Sequence, residues 1–318
     1  MRELTIQKND ADQRLDRFLG KAVPLLPASL AQKYIRLKRI KVNGARAERD
    51  YRLREGDRLQ LYLNNEFFEA PSEENVYLTI VNPRLHIIYE DENIMLLDKP
   101  VGMVVHADEG EKVNTLVNHM LAYLYQKREW KPREENAFTP ALCNRIDRNT
   151  GGIVIAAKNA EALRVLNEKI RERELSKFYL CICLGRPEPP KGRIECFLRK
   201  DSKTNTVRVY HHPVPDGRSA VTLYETLETR DRLSLVEVEL LTGRTHQIRA
   251  SFADMGHPLL GDGKYGVGSV NRRYGETQQA LYSYRLRFDF PTDAGILNYL
   301  RGREFIADEV PFRRKYFG

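Results

Sequence analysis

The densest run of groups able to do chemistry is Asn144-Arg145-Ile146-Asp147-Arg148-Asn149-Thr150-Gly151-Gly152. It is polar, compact and Gly-terminated, and it leads straight into the apolar run Ile153-Val154-Ile155-Ala156-Ala157. A polar loop at the end of a buried strand is a common seat for catalytic groups, because the strand fixes their position. Asp147 stands between Arg145 and Arg148. A nearby cation favours an ionised carboxylate in a cleft. A positioned carboxylate can then act as a nucleophile or a base. The same Asp147 could instead do no more than cap its turn or pair with Arg148.

A second dense segment is Thr242-Gly243-Arg244-Thr245-His246-Gln247-Ile248-Arg249, followed by Phe252, Gly256-His257-Pro258, Gly261-Asp262 and Tyr265-Gly266. A helix starting near Thr245 would put Arg249 one turn on, along the same face. From there its guanidinium could grip a carboxylate on another element in bidentate fashion. His246 could serve as a general acid or base, or simply as a structural hydrogen bonder. His246 and His257 lack an acidic or Cys partner at ligand spacing, so no metal site is expected. A third segment is Lys177-Phe178-Tyr179-Leu180-Cys181-Ile182-Cys183-Leu184. Read as a strand, it puts Lys177, Tyr179, Cys181 and Cys183 on one face and Phe178, Leu180 and Ile182 on the other. Tyr179 could stack on a base, help move a proton, or sit half-buried in a sheet.

The elements that must position these residues follow from hydrophobic period. Leu85–Tyr89 and Ile94–Asp98 read as paired strands, and Thr115–Tyr125 as a helix. Gly152–Ala157 reads as a buried strand, and Ala160–Arg173 as a helix with Leu163, Leu166 and Ile170 on one face. Lys177–Leu184, Arg193–Leu198, Ser219–Leu227, Leu233–Leu240 and Leu281–Phe290 read as further strands, and Thr245–Met255 as a helix. Consecutive strands outnumber helices, which favours an α+β fold with a mixed, mostly antiparallel sheet.

Near the start, Leu15, Phe18 and Leu19 share a helical face. Leu30, Tyr34 and Leu37 repeat the spacing on a second helix, with Ser29 as its expected N-cap. Arg39–Gly44 alternates and ends in Asn-Gly, a strand entering a tight turn, and Arg58–Leu63 alternates again. Residues 64–83 carry Glu66, Glu69, Glu73 and Glu74 around Pro71 and Ser72, and read as a solvated linker.

Composition sets the outer limits. At 318 residues the chain is long enough for about two domains, and 42% hydrophobic with 30% charged residues is an ordinary globular balance. The net charge is +8. Residues 1–63 hold 15 Lys or Arg against 8 Asp or Glu, so nearly all of the excess sits in one fifth of the chain. A basic module on a near-neutral body suggests an appended nucleic-acid-binding domain. The cysteines, Cys143, Cys181, Cys183 and Cys196, form neither a zinc pattern nor a disulfide framework, which predicts a reducing, cytoplasmic compartment. The first residues lack a signal-peptide core, and no run approaches about 18 apolar residues, so no membrane span is expected.

Two resemblances gather these segments. Arg14-Leu15-Asp16-Arg17-Phe18-Leu19, Ile40-Lys41-Val42-Asn43-Gly44 and Leu53-Arg54-Glu55-Gly56-Asp57 resemble the small RNA-binding domain of ribosomal protein S-four, the αL motif. That resemblance implies that the second helix and the loop after it face RNA, which would bring Lys33, Arg36, Lys38, Arg39 and Lys41 to phosphates. In the body, Asn144–Gly152 resembles the H-R-[LI]-D-x-x-T-[SG]-G motif of RluA-type RNA pseudouridine synthases. Lys177-Phe178-Tyr179 resembles their K-x-Y, and Thr242–Arg249 with Phe252–Gly266 their G-R-x-H-Q-I-R…G-H-P…G-D…Y-G. Asp98–His106 resembles their K-P-x-G-x-x-V-H opening. Order and spacing agree over residues 85–290.

Carried over position by position, the resemblance implies that Asp147 is the catalytic aspartate, Tyr179 the active-site tyrosine and Arg249 the arginine paired with the aspartate. It implies substrate contacts for Asn144, Arg145, Arg148, Thr150, Arg244 and His246. Three departures stand out. The leading His of the first motif is Asn144 here, its Ser is Gly151, and Leu281-Tyr282-Ser283 replaces a late L-H-A. The expected domains are 1–63 for RNA binding, 64–83 as linker and 84–318 for catalysis. The expected reaction turns uridine into pseudouridine within one nucleotide, so neither an organic cofactor nor a metal is expected. Large-subunit ribosomal RNA is the expected partner, transfer RNA the alternative, and the chain is expected to act as a monomer. A non-catalytic RNA-binding or ribosome-assembly factor on the same scaffold is the competing reading. A nuclease would need clustered carboxylates for paired metals.

Overall fold

The computed structural model describes residues 1–23, 26–63, 65–68, 76–132 and 137–318. The chain divides into two compact units. One comprises residues 1–84 with 117–141 and 157–164, the other 85–116, 142–156 and 165–318.

The first unit opens with β1 (Arg2–Thr5), α1 (Leu15–Ala22), α2 (Ala28–Arg36), β2 (Ile40–Val42), β3 (Ala45–Arg46) and β4 (Arg58–Leu61). The strands form one sheet in the order β1-β4-β2-β3. The helical spacing of Leu15, Phe18 and Leu19 buries all three against Ile40, Leu59 and Leu61 of the sheet. Val42 pairs with Ala45 across a two-residue turn in which Asn43 and Gly44 both take positive φ, 50° and 79°. That is the backbone an Asn-Gly hairpin turn requires. The expected N-cap at Ser29 is displaced: the helix starts at Ala28 with Pro27 in the cap position at φ −58°. A proline is already set for a helix start, so Ser29 falls inside the first turn. In the stretch expected as a linker, Phe67 and Phe68 pack on the core of this unit, and Tyr77 lies 5.0 Å from the Trp130 ring. The acidic Glu69, Glu73 and Glu74, with Pro71 and Ser72, and the Glu66 side chain lie outside the described residues.

The rest of the chain supplies, in order, β5 (Ile87–Glu90), β6 (Ile94–Lys99), α3 (Leu116–Gln126), β7 (Ala141–Leu142), β8 (Gly151–Ala157), α4 (Ala160–Arg171) and β9 (Leu175–Leu184). Then come β10 (Lys191–Asp201), β11 (Thr206–Tyr210), β12 (Arg218–Arg230), β13 (Leu233–Leu240), α5 (Gln247–Asp254), α6 (Gly268–Tyr274), β14 (Leu281–Phe288), β15 (Glu304–Ile306) and α7 (Pro311–Phe317). Among the described residues the strands build an eleven-stranded sheet in the order β11-β10-β12-β13-β9-β14-β8-β6-β5, with β7 on β8 and β15 on β14. The β8–β14 contact is parallel and the long pairs from β10 to β14 are antiparallel. This is the mixed, mostly antiparallel α+β fold expected.

The central strands are buried on both faces. From β9, Tyr179, Cys181 and Cys183 pack with Val236, Val238, Ile248 and Phe252 on one side. Leu180 and Ile182 pack with Leu233, Leu235 and Tyr282 on the other. Two-sided burial explains why β8 and β6 read as unbroken apolar runs rather than alternating ones. The helix expected from Thr245 begins at Gln247, because His246 takes a left-handed backbone (φ 53°) just before the first turn.

Candidate active site

Three elements of the larger unit converge on one carboxylate. The loop before β8 carries Asp147, whose carbonyl accepts from the Thr150 amide at 3.0 Å and so tightens the turn. Helix α5 carries Arg249 in its first turn, and the segment after it carries Asp262. Arg249 Nη1 donates to Asp147 Oδ2 at 2.7 Å. The other side of the guanidinium forms a fork onto Asp262, with Nε at 2.7 Å from Oδ2 and Nη2 at 3.0 Å from Oδ1. The bidentate grip expected of Arg249 therefore falls on Asp262, while Asp147 receives a single bond.

Asp262 is fully buried and accepts two more bonds, from the amides of Lys264 and Tyr265 at 2.8 and 3.0 Å. Burial works against its ionisation, but the Arg249 fork and these amides outweigh it and hold its pKa below the usual carboxylate value. Burial likewise opposes the Arg249 charge, and the two aspartates outweigh it and raise its pKa. Asp147 is the accessible end of this chain, with 28% of its side chain exposed against none for Asp262.

His246 lies beside Asp147, its Nε2 at 3.8 Å from Oδ2, and its Nδ1 is 2.9 Å from the Tyr265 hydroxyl. Burial pushes its pKa down to about 4, against the pull of Asp147, so the ring is neutral near pH 7. The backbone around it is held by Gln247. That amide oxygen accepts from Thr242 Oγ1 and the Arg244 amide, and its nitrogen donates to Val221 O and Thr222 Oγ1. A non-glycine residue in left-handed backbone persists only where its surroundings over-determine it, and such residues cluster at functional sites.

Tyr179 is buried in β9, and burial pushes its phenol up to about 12, with the Asp147 charge adding to the effect. The nearby Ser283 side chain acts in the opposite direction. Ser283 sits opposite both Tyr179 and Gly152 because β14 lies between β9 and β8. Gly152 has φ +108° and touches the Ser283 backbone where a Cβ would be, so only glycine fits.

Behind the loop, Lys99 is fully buried and its Nζ donates to the carbonyls of Pro100, Met103 and Arg148 at 2.9, 2.7 and 3.0 Å. Burial pushes its pKa down to about 7. Three carbonyl acceptors use all three protons of an ammonium, so this geometry holds the charged form. Lys99 thereby ties β6 to the residue beside Asp147.

The remaining expected contacts divide. Arg145 is exposed and has no ion-pair partner among the described residues. Arg148 does not pair with Asp147. Its Nη2 reaches both oxygens of Asp108, at 2.9 and 2.8 Å. Asn144 Oδ1 accepts from the Ile155 amide at 2.8 Å, which fixes the loop to β8. Thr150 is buried and accepts from Gln279 at 3.2 Å, and Arg244 Nε donates to Ser219 O at 3.1 Å. In the N-terminal unit, Lys33, Arg36, Lys38 and Arg39 are exposed and Lys41 half-buried, with none in an ion pair among the described residues. Asp262 and Gln247 went unassigned in the sequence. The Gly-Asp pair after an Arg-bearing helix was visible, but its function is a fork geometry that spacing does not encode.

A family model described as RNA pseudouridylate synthase matches residues 93–254, and an S4 domain model matches residues 13–59. An uncharacterized RNA pseudouridine synthase of Aquifex aeolicus is 34% identical over 88% of this chain and 87% of its own length. The ribosomal large subunit pseudouridine synthase C of Vibrio parahaemolyticus is 30% identical over 91% of this chain and 88% of its own. The solved structure of human RNA pseudouridylate synthase domain containing 4 shares the fold, with a TM-score of 0.54 at 20% identity over 71% of this chain and 89% of that one. With motifs, fold and relatives in agreement, the chain belongs to the RNA pseudouridylate synthase family, an isomerase carrying an RNA-binding S4 domain.

Proposed function

We propose that the enzyme isomerises uridines of large-subunit ribosomal RNA, with Asp147 acting on the sugar as nucleophile or base. The observation that carries this reading is the asymmetry of the carboxylate. Arg249 holds Oδ2, while Oδ1 has no hydrogen-bond partner among the described residues. One oxygen is thus positioned and the other open to a substrate. The name of the Vibrio relative supports the choice of RNA.

The target base must leave the RNA stack before it can be reached. The C1′–N1 bond then breaks, the base turns, C1′–C5 forms, the C5 proton departs and N1 gains a proton. Asp147 either attacks C1′ to give an ester or takes a sugar proton to give a glycal. Arg249 keeps the carboxylate aimed, with Asp262 fixing the arginine from behind. Tyr179, a neutral phenol, offers a stacking face and a hydrogen-bond donor. In this proposal residues 1–63 dock the RNA, residues 84–318 do the chemistry, and the chain works as a monomer in the cytoplasm, where its thiols stay reduced.

Mapping pseudouridines across total RNA, with and without the gene, tests the substrate. Loss of one or more sites in large-subunit ribosomal RNA is the expected result, and losses confined to transfer RNA would overturn it. Asp147→Asn is expected to abolish conversion while leaving RNA binding within about twofold. Unchanged turnover would remove Asp147 from its role.

A further inference from the structure

The outer face of the N-terminal sheet presents an aromatic ring among cations, and the chemistry above does not use it. Residues alternate along β2 and β4, so Ile40, Val42, Leu59 and Leu61 enter the core. Lys41, Arg58, Gln60 and Tyr62 therefore face outward, while the Arg39 guanidinium lies 5.2 Å from the Tyr34 ring of α2. The Tyr62 amide donates to the Arg39 carbonyl at 2.8 Å, and Lys41 lies opposite both Gln60 and Arg46, which sets these residues side by side. Arg39, Lys41 and Arg58 enter no ion pair among the described residues, whereas Arg46 is paired with Glu48 at 2.9 Å. Glu3, opposite Gln60, is the acidic member of the face.

Tyr62 is 43% exposed. Lys41 Nζ stands 5.5 Å from its centroid, close enough for a cation–π contact on one side of the ring. An exposed aromatic set among unpaired cations is the combination that binds single-stranded nucleic acid: bases stack on the ring while the cations follow the backbone. A paired helix offers only phosphates and groove edges to such a surface, because its bases are already stacked.

We infer that this sheet face binds an unpaired stretch of RNA, one base stacking on Tyr62 while Lys41 and Arg58 contact flanking phosphates. The inference rests on the reading of the protein as an RNA enzyme and adds the class of RNA its docking module selects. Lys33 and Arg36 on α2 serve any phosphate backbone, and the sheet face requires a strand with a free base.

The test uses the full chain and two labelled, uridine-free probes, an oligoadenylate of roughly twelve nucleotides and a duplex of equal length. Tyr62→Ala is expected to weaken oligoadenylate binding about 5- to 100-fold, with duplex binding and thermal unfolding unchanged. Tyr62→Phe keeps the ring and is expected to bind within about twofold of wild type. Arg58→Gln is expected to lower the slope of log affinity against log salt by about 0.7. Undiminished binding by Tyr62→Ala, an equal loss on the duplex, or no oligoadenylate binding by the wild type would each overturn the inference. Pseudouridine content, measured in parallel, separates this from the enzymatic reading. Tyr62-dependent binding without any pseudouridine removes the enzyme proposal and keeps the surface. Conversion with Tyr62-independent binding does the reverse.

Discussion

The ring of Tyr282 occupies the space that a side chain at Gly151 would need. The two residues face each other across the β8–β14 contact, and the Tyr282 hydroxyl donates to Asp98 Oδ1 at 2.7 Å. The ring is thus wedged at one end and tethered at the other. Tyr282 stands where the late L-H-A has His, and its ring leaves room for the Gly but not the Ser that T-[SG]-G allows at position 151.

Gly151→Ser alone is therefore expected to destabilise the protein by about 1–3 kcal/mol through overpacking. Tyr282→His alone is expected to lose packing and the bond to Asp98. Combined, the two are expected to cost less than the sum, with a coupling of about 1 kcal/mol in a denaturation double-mutant cycle. Strict additivity would show that the contact carries no energy.

Arg249→Lys is expected to lower turnover by about 100-fold or more with the fold retained. One ammonium cannot reproduce a fork onto Asp262 and a third bond to Asp147, so the reactive carboxylate loses its aim. Single-turnover rates with circular dichroism as a control decide the point. A rate within a few fold of wild type would mean that charge alone suffices.

His246 gives stability an acid limb. Its pKa is about 4 when folded, against about 6.5 in an unfolded chain. Between these values the unfolded chain binds a proton that the native state refuses, so stability falls as pH drops from about 6.5 to 4. Above about 6.5 both states are neutral and the contribution is flat. His246→Gln is expected to flatten that limb by roughly 1–3 kcal/mol in denaturation curves. Titration of the His246 ring signals near pH 6.5 by NMR would contradict the premise.

Tyr179 is expected to act as a neutral phenol. With its pKa pushed up to about 12, roughly one molecule in 10⁵ carries a phenolate at pH 7. If that phenolate removed the C5 proton, single-turnover rates would rise about tenfold per pH unit. A flat profile from about pH 7 to 8.5 is expected instead, and Tyr179→Phe is expected to retain substrate affinity.

Much of the fold was legible because burial writes a period into the chain. The Lys177–Leu184 alternation assigned Tyr179 and Leu180 to opposite faces, and they enter separate clusters. Leu233–Leu240 was bounded correctly at both ends. The weak points were places where one residue overrides the pattern. His246 delays α5 by its left-handed backbone, and Pro27 takes the cap position from Ser29. The short elements β11 and α7 were not assigned. In the site, motif order named Asp147, Arg249 and their pairing, but not the Asp262 fork that holds the arginine from behind. Arg148 neighbours Asp147 in sequence yet bonds Asp108, while Arg249 arrives from a distant element. Sequence adjacency alone favoured Arg148, whereas the family resemblance pointed to Arg249.

Strand β14 lies between β9 and β8, yet it is synthesised after both. A ribosome making this protein will have released Asp147, Tyr179 and Arg249 before the strand that joins their supports emerges. Until then β8 and β9 each present a row of unpaired amides and carbonyls, edges that invite pairing with other chains. A polypeptide stalled before Leu281 thus holds Asp147, Tyr179 and Arg249 without the strand that joins β8 to β9. The middle of the sheet is filled only from the chain's last quarter.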